Sequence, residues 1–182
     1  ALNPYAESKL QVDNYFRSRR NQFNSQVVGL RYFNVYGPKE EHKGKMASVA
    51  FQLHCQLKRG NTIKLFEGSG GYEPGEQRRD FIYVDDVIKA NIFFMQNPHI
   101  SGILNLGTGR SQTFNEVARA VIKWHKAGKI EYIPFPPGLK DRYQSYTESD
   151  LSLLRKAGYV ETFFSVEEGI KAYLDTIGTK FE

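Results

Sequence analysis

The segment PYAESK near the start of the chain places a phenol, Tyr5, and an amine, Lys9, four residues apart. Side chains at this spacing on a helix project from the same face. A phenol titrates at about pH 10, and a cation held beside it favours the phenolate. The pair therefore has the chemistry for proton transfer, but the same spacing is also typical of an amphipathic surface helix. From these residues alone both interpretations stay open.

A second group of polar side chains follows the apolar run QVVGLRYF, residues 26–33, which predicts a buried strand. A helix, a strand and then a loop is the order found in doubly wound α/β sheets, where ligands bind outside the carboxyl ends of the strands. The loop that follows, residues 34–45, offers neutral and cationic donors at Asn34, Lys39, His42, Lys43 and Lys45. The alternative is an exposed, solvated basic loop.

The remaining periodicity predicts alternating helices and strands. Asn3 and Pro4 are predicted to begin the first helix, which ends near Arg20 with Leu10, Tyr15 and Phe16 facing inward. Further helices are predicted at 46–59, 85–96, 114–126, from a cap at Thr147 or Ser149 to Gly158, and from a capping box formed by Ser165 and Glu168. Strands are predicted at 63–66, 80–84, 102–109 (ending in glycines) and 130–136, with a turn at 34–38 and a hairpin or flap joining 63–66 to 80–84.

Composition narrows the class of ligand. The net charge is +5 with an isoelectric point near 9.2, but the basic residues form only short clusters, which favours an anionic small molecule over nucleic acid. The single Cys55 excludes an internal disulfide and suits the cytoplasm. No apolar run reaches the roughly 18 residues of a membrane span, and the scattered histidines predict no metal site.

Five stretches in order, YAESK, RYFNVYGP, RRDFIYVDDV, NLGTG and AGY with SVEEGI, resemble the extended short-chain dehydrogenase/reductase family. The resemblance implies an α/β fold: the C-terminal part of a Rossmann-type doubly wound parallel sheet with a smaller mixed α/β substrate-binding domain. Residues 1–36 and 80–110 would belong to the dinucleotide-binding domain. Residues 37–79 and 111–182 would form the nucleotide-sugar domain.

The segments EEHKGKMASVAFQL, LFEGS and DRYQSYT imply a nucleotide-sugar epimerase within that family. The implied reaction inverts C6 of the heptose in ADP-D-glycero-D-manno-heptose by oxidation and re-reduction with NADP (NAD being possible), in lipopolysaccharide inner-core synthesis. Tyr5 and Lys43 would be the two catalytic groups. The resemblance places Tyr5, Lys9, Val35 and Lys43 at the cofactor, and it implies a homo-oligomer.

The substrate-binding positions implied by the resemblance lie in four segments of the chain. They are Asn34, Lys45, Gln52, Phe66, Glu67, Gly68, Ser69, Arg79 and Tyr143. Lys45 and Gln52 stand where some relatives have Ser and His. Independently of the resemblance, Arg78 and Arg79 beside Asp80 have two interpretations: a solvated ion pair, or a guanidinium that binds phosphate as a fork.

The family's N-terminal half, with its glycine-rich first turn, is absent from these 182 residues. We therefore expect a truncated or processed chain that neither binds NADP tightly nor turns over substrate alone. Two other classes stay open: a nucleotide-sugar 4-epimerase or 4,6-dehydratase, in which Lys43 would have no role as a base, and a non-catalytic nucleotide-sugar binding module. Nucleic-acid binding is the remaining alternative.

Overall fold

A computed structural model of the chain describes residues 4–178, which form a mixed α/β fold. Its helices are α1 (Pro4–Arg19), α2 (Val49–Arg59), α3 (Val84–Gln96), α4 (Phe114–His125), α5 (Ser152–Lys156) and α6 (Val166–Gly178). Its strands are β1 (Val28–Tyr32), β2 (Asn34–Tyr36), β3 (Thr62–Phe66), β4 (Arg78–Arg79), β5 (Phe81–Tyr83), β6 (Gly102–Leu106), β7 (Gln112–Thr113) and β8 (Lys129–Ile133).

Parallel pairing dominates the sheets, as the alternation of strands and helices predicts. β1 pairs with β6, β2 with β5 and β3 with β8, all in parallel, whereas the short strands β4 and β7 pair antiparallel. The chain changes partners between β1 and β2: the Phe33 amide donates to the Leu106 carbonyl and the Asn34 amide to the Asp80 carbonyl, each at 3.0 Å. This change places Asn34 at the start of β2, opposite Phe81 of β5.

Two hydrophobic clusters hold these elements together. The larger one lies among α2, α4, α6 and the strands β3 and β5, and includes Leu53, Ile63 and Leu174. The second joins β5, α3 and β6 to the segment that contains α5, through Leu154, Tyr159 and Phe163. This segment, within the predicted substrate domain, packs against elements of the predicted dinucleotide domain. The division into domains stays a prediction.

The predicted hairpin is wrong. β3 pairs with β8 and β5 pairs with β2, so the two strands flanking the glycine-rich segment lie in different sheets. The predicted turn at residues 34–38 is also wrong in part, because Asn34–Tyr36 is a strand. Both errors have one cause: local glycine content predicts a turn, but distant parallel partners decide which strands pair.

Helix ends follow the sequence in some places and not in others. Ser165 and Glu168 form the predicted capping box at α6, with the Ser165 amide donating to Glu168 at 2.9 Å and the Glu168 amide donating to Ser165 Oγ at 3.2 Å. Neither Thr147 nor Ser149 caps α5, which begins at Ser152, whose amide donates to the Asp150 carboxylate at 2.9 Å. The predicted cap Asn3 lies outside the described residues.

The inward face predicted for α1 is only partly correct. Phe16 is buried and stacks on Phe23 with ring centroids 5.8 Å apart, but Leu10 and Tyr15 are exposed. Asp13 ties the helix to β1 through an ion pair with Arg31. Between residues 4 and 178, none of the helices has both the length and the apolar character needed to cross a bilayer.

Candidate active site

Lys43 lies in a tight 3-10 turn, Glu41–Met46, between β2 and α2. The turn lines a cleft of about 270 Å³ whose other walls include the start of β2 and the start of α2. We call this the lysine cleft; it is lined by Asn34, Val35, Glu40, Lys43, residues 46–49, Phe81 and Phe114. Three residues predicted from the sequence, Asn34, Val35 and Lys43, therefore share one cleft.

A second cleft of about 400 Å³ lies between α2, β3 and α4. We call it the aromatic cleft; its walls include Val49, Gln52, Phe66, Gln77, Phe114 and Tyr143. Phe66 stacks on Phe135 at 4.6 Å between ring centroids, and Tyr143 packs edge-on against Phe135 at 5.0 Å. Because Val49 and Phe114 line both clefts, the two are adjacent.

Arg79 lies against the aromatic residues. Its guanidinium is 5.2 Å from the centroid of the Tyr143 ring and 5.8 Å from that of Phe114, and it donates to the carbonyls of Arg78 and Gln144. Burial lowers the pKa of Arg79 and raises that of Tyr143, so each charged form is disfavoured by desolvation. A buried, stacked guanidinium with planar donors suits a phosphate or a nucleotide base.

The suggested ion pair between Arg79 and Asp80 is not formed. Asp80 is fully buried and accepts from the Thr108 amide and hydroxyl at 2.8 Å each, and from the Gly109 and Ser149 amides at 3.0 Å each. Four neutral donors satisfy the carboxylate, and a Cβ at Gly107 would lie only 2.6 Å from it. Asp80 thus fixes the NLGTG loop to the backbone of Ser149.

Of the segment Phe66–Ser69, Phe66 lines the aromatic cleft, and the next three residues are held by hydrogen bonds and close backbone packing. Gln77, buried and overlooked in the sequence, donates to the Glu67 carbonyl at 2.7 Å and to Ser69 Oγ at 3.1 Å. Gly68 allows the close approach of the Tyr72 carbonyl, which an added Cβ would meet at 2.3 Å. Glu67 pairs with Lys140 at 2.8 Å, a partly exposed ion pair of small energetic weight.

The side-chain amide of Gln52 binds the backbone of the turn that carries Lys43. Its amide nitrogen donates to the carbonyls of Lys45 at 3.0 Å and Ala47 at 2.8 Å, so it fixes the end of the turn that carries Lys43. The side chain nevertheless lines the aromatic cleft. Lys45 is exposed and lines neither cleft.

The pair that suggested proton chemistry lies apart from both clefts. Tyr5 is 70% exposed on α1, and Lys9 Nζ lies 5.1 Å from the centroid of its ring. The two side chains lie on one face of the helix, as their spacing predicts. Within residues 4–178, neither Tyr5 nor Lys9 lines the lysine cleft or the aromatic cleft.

Glu40 and His54 are further buried polar residues that the sequence did not single out. Glu40 looks like any other member of a charged loop, and nothing in its neighbours separates it from Glu41. His54 lies on α2 with Nδ1 3.0 Å from Nε2 of His125 on α4. Its burial follows from the helical periodicity of α2, a signal obscured by its polar character.

Comparison with known proteins identifies the family. Residues 1–107 match the NAD dependent epimerase/dehydratase family. The chain belongs to this family. An ADP-L-glycero-D-manno-heptose-6-epimerase of Alkalilimnicola ehrlichii is 53% identical over 97% of the chain and 55% of the relative.

Solved structures of epimerases share the fold. The Helicobacter pylori ADP-L-glycero-D-manno-heptose-6-epimerase superposes with a TM-score of 0.81 at 35% identity, over 97% of this chain and 51% of that one. A Thermus thermophilus UDP-glucose 4-epimerase in complex with NAD gives a TM-score of 0.74 at 28% identity, over 95% and 53%. The chain thus spans about half the length of these relatives.

The position of the lysine cleft agrees with the fold of the epimerase/dehydratase family. The fold, with its parallel strand pairs, is that of these relatives, and ligands of doubly wound sheets lie at the carboxyl ends of parallel strands. Asn34 and Lys43 follow such strand ends. The individual roles of the site residues stay predictions.

Proposed function

We propose that the full-length protein containing this chain inverts C6 of the heptose in ADP-D-glycero-D-manno-heptose. The observation that carries this is the adjacency of the two clefts: an amine, Lys43, lines one, and Arg79 packs against two aromatic rings, Phe114 and Tyr143, that line the other. The 53% identity to a heptose 6-epimerase over nearly the whole chain supports the choice of substrate. A homo-oligomer in the cytoplasm is part of the same proposal.

The residues of this chain fit the nicotinamide end of a dinucleotide. Lys9 offers an exposed amine for ribose hydroxyls, and half-buried Val35 offers an apolar wall beside Lys43. The 182 residues contain no G-x-G-x-x-G turn for the pyrophosphate, so we propose that a preceding segment, as in the longer relatives, supplies it. When bound, NADP would supply the oxidation and the re-reduction at C6; the choice of NADP over NAD belongs to this proposal.

The side chains divide the remaining work. One base cannot easily reach both faces of a fixed sugar, so the proposal assigns one face to Tyr5 and the other to Lys43. Arg79, which packs against Phe114 and Tyr143, would bind phosphate, and Asn34 at the start of β2 would orient a sugar hydroxyl. For Tyr5 and Lys43 to face the same sugar, α1 has to lie close to the lysine cleft. We propose that the preceding segment holds it there.

Replacing Lys43 by Met in the full-length protein tests the assignment. Removing the amine while keeping the length of the side chain should lower kcat for C6 epimerisation by about a hundredfold or more, because general acid–base catalysis contributes roughly that much. Lys129→Met, an exposed residue at the start of β8, is the matched control. Unchanged 6-epimerisation by Lys43→Met would reject Lys43 as the second base.

A nucleotide-sugar 4-epimerase is the second candidate, favoured by the structural match to the Thermus enzyme. That activity would need Tyr5 but not Lys43, so the full-length Lys43→Met variant would retain 4-epimerisation. A non-catalytic binding module would instead bind an ADP-sugar and fail to bind NADP. Calorimetric titration of the full-length protein with each ligand separates these outcomes.

A further inference from the structure

Glu40 is a buried carboxylate directly beside the turn that carries Lys43. Its side chain is 4% exposed, yet three donors reach it: the Ser48 amide at 2.7 Å, the Ser48 hydroxyl at 2.6 Å and the Tyr173 hydroxyl at 2.9 Å. Burying a carboxylate is unfavourable unless hydrogen bonds replace its water. Three bonds to one buried carboxylate indicate a constraint on the backbone around it.

The backbone has positive φ angles on both sides of Lys43, once just before the turn and once within it. Lys39 has φ of 69°, a left-handed conformation that is unfavourable for a residue with a side chain, and Gly44 has φ of 53°. The Lys43 amide donates to the Glu40 carbonyl at 3.0 Å. Glu40 therefore stands at the start of the turn, where its side chain fixes the direction in which the turn leaves β2.

Helices α2 and α6 anchor the turn from two directions. Ser48 caps α2 by accepting from the Phe51 amide at 3.3 Å, so Glu40 binds the N-cap residue of that helix. Tyr173 is fully buried in α6, and burial and the adjacent Glu40 carboxylate raise the pKa of its phenol, which keeps it a neutral donor. Gln52 holds the far end of the turn through the Lys45 and Ala47 carbonyls.

We propose that Glu40 is a positioning residue that fixes Lys43 in the lysine cleft by tying its turn to the start of α2 and to Tyr173 of α6. The inference rests on the proposed function for its catalytic consequence, but its structural basis is independent. Glu40 is not assigned a proton-transfer role, because its carboxylate already accepts three hydrogen bonds from the protein.

Glu40→Gln in the full-length protein is the first test. The amide keeps the size of the side chain but cannot accept all three bonds, since its nitrogen only donates. We expect kcat for C6 epimerisation to fall at least tenfold while KM for the ADP-heptose changes less than about threefold, because Arg79 and the aromatic cleft are intact. Glu168→Gln, a carboxylate that caps α6 away from both clefts, is the matched control and should leave both constants unchanged.

A double-mutant cycle with Lys43→Met separates positioning from general stability. If Glu40 acts through Lys43, Glu40→Gln should lower kcat at least tenfold in the wild-type background and less than twofold in the Lys43→Met background. Equal losses in both backgrounds would overturn the proposal. If Glu40→Gln does not fold, Tyr173→Phe removes a single bond to Glu40, and its roughly threefold loss of kcat should vanish in the same way.

Hydrogen exchange distinguishes failure of this inference from failure of the proposed function. Glu40→Gln should speed exchange of the amides in residues 40–48 by about tenfold or more, with no change in α4. If the wild-type full-length protein has no epimerase activity but Glu40→Gln still exchanges faster, the proposed function is rejected and Glu40 remains the anchor of the turn. Unchanged exchange in these residues would reject the anchor itself.

Discussion

Arg79 shows how one side chain serves both the fold and the candidate site. Two of its donors hold the backbone carbonyls of Arg78 and Gln144, and its planar face lies near the rings of Tyr143 and Phe114. Lysine has the charge but neither the fork of donors nor the planar face. The position therefore requires arginine for its geometry as much as for its charge.

Arg79→Lys should accordingly weaken the binding of an ADP-sugar by about tenfold, which corresponds to about 1.4 kcal/mol. Isothermal titration of the full-length protein measures this. Arg78→Lys is the control, because Arg78 donates instead to the Ser111 hydroxyl and carbonyl at 3.0 and 2.6 Å. Equal affinities for the two variants would remove Arg79 from the nucleotide site.

Two buried tyrosines offer a direct comparison of satisfied and unsatisfied hydroxyls. Tyr173 OH donates to Glu40, whereas Tyr159 OH has no hydrogen-bond partner among residues 4–178. Burial raises the pKa of Tyr159 to about 12. We expect Tyr159→Phe to be neutral or to stabilise the protein by up to about 1 kcal/mol, and Tyr173→Phe to destabilise it by about 1–3 kcal/mol. Urea unfolding of both variants decides; a large loss for Tyr159→Phe would contradict the comparison.

At the scale of elements, α2 meets α4 through a pair of histidine rings. His54 Nδ1 and His125 Nε2 lie 3.0 Å apart, so one neutral ring donates to the other, and Trp124 packs edge-on against His54 at 6.0 Å. Burial, with contributions from His125 and Lys58, lowers the pKa of His54 from 6.5 to about 4. Burial also lowers the pKa of His125. The contact between the helices therefore depends on neutral rings.

Acid should weaken this contact. A histidine whose pKa is lower in the folded state contributes stability that is complete above about pH 6.5 and is lost as the pH falls towards about 4. We expect the free energy of unfolding to fall by about 2 kcal/mol from His54 between about pH 7.5 and pH 5. His54→Gln should flatten this dependence, and His99→Gln, an exposed histidine beyond α3, should not. Parallel pH profiles for all three proteins would contradict the assignment.

Sequence periodicity predicted most of the elements but not their partners. The runs that became α2, α4 and β1 carry their own signals in apolar spacing and in capping residues such as Thr113 with Glu116. The pairing of β3 with β8 joins residues far apart in the chain, and no local pattern contains it. The same limit applies within the site, since Glu40 and Tyr173 are 133 residues apart.

For the whole molecule, the motifs that predicted the site were those shared with the epimerase/dehydratase family. They led to Asn34, Val35 and Lys43 in one cleft and to Gln52, Phe66 and Tyr143 in the next. They did not lead to buried side chains that fix neighbouring segments of backbone, such as Asp80 at the Thr108 amide and Gln77 at the Glu67 carbonyl. A carboxylate or amide can be buried only where hydrogen-bond partners surround it in the folded chain, and the order of residues does not reveal those partners.

We expect the 182-residue polypeptide, taken alone, to retain affinity for an ADP-sugar and to lack tight binding of NADP. Both clefts are formed by residues within it, but the sequence has no glycine-rich turn for a dinucleotide. Calorimetric titration with each ligand checks this, after circular dichroism has confirmed helical content. Tight NADP binding, or turnover by this polypeptide, would contradict the expectation.

The bond between Tyr173 and Glu40 makes α6 a working part of a site to which it contributes no lining residue. Exchanging this helix for that of a relative would therefore alter the turn that carries Lys43, even if every residue that lines the clefts were kept. Variation at positions 40 and 173 should be correlated among relatives for the same reason. In a redesign of substrate range, the turn and the helix have to be chosen together.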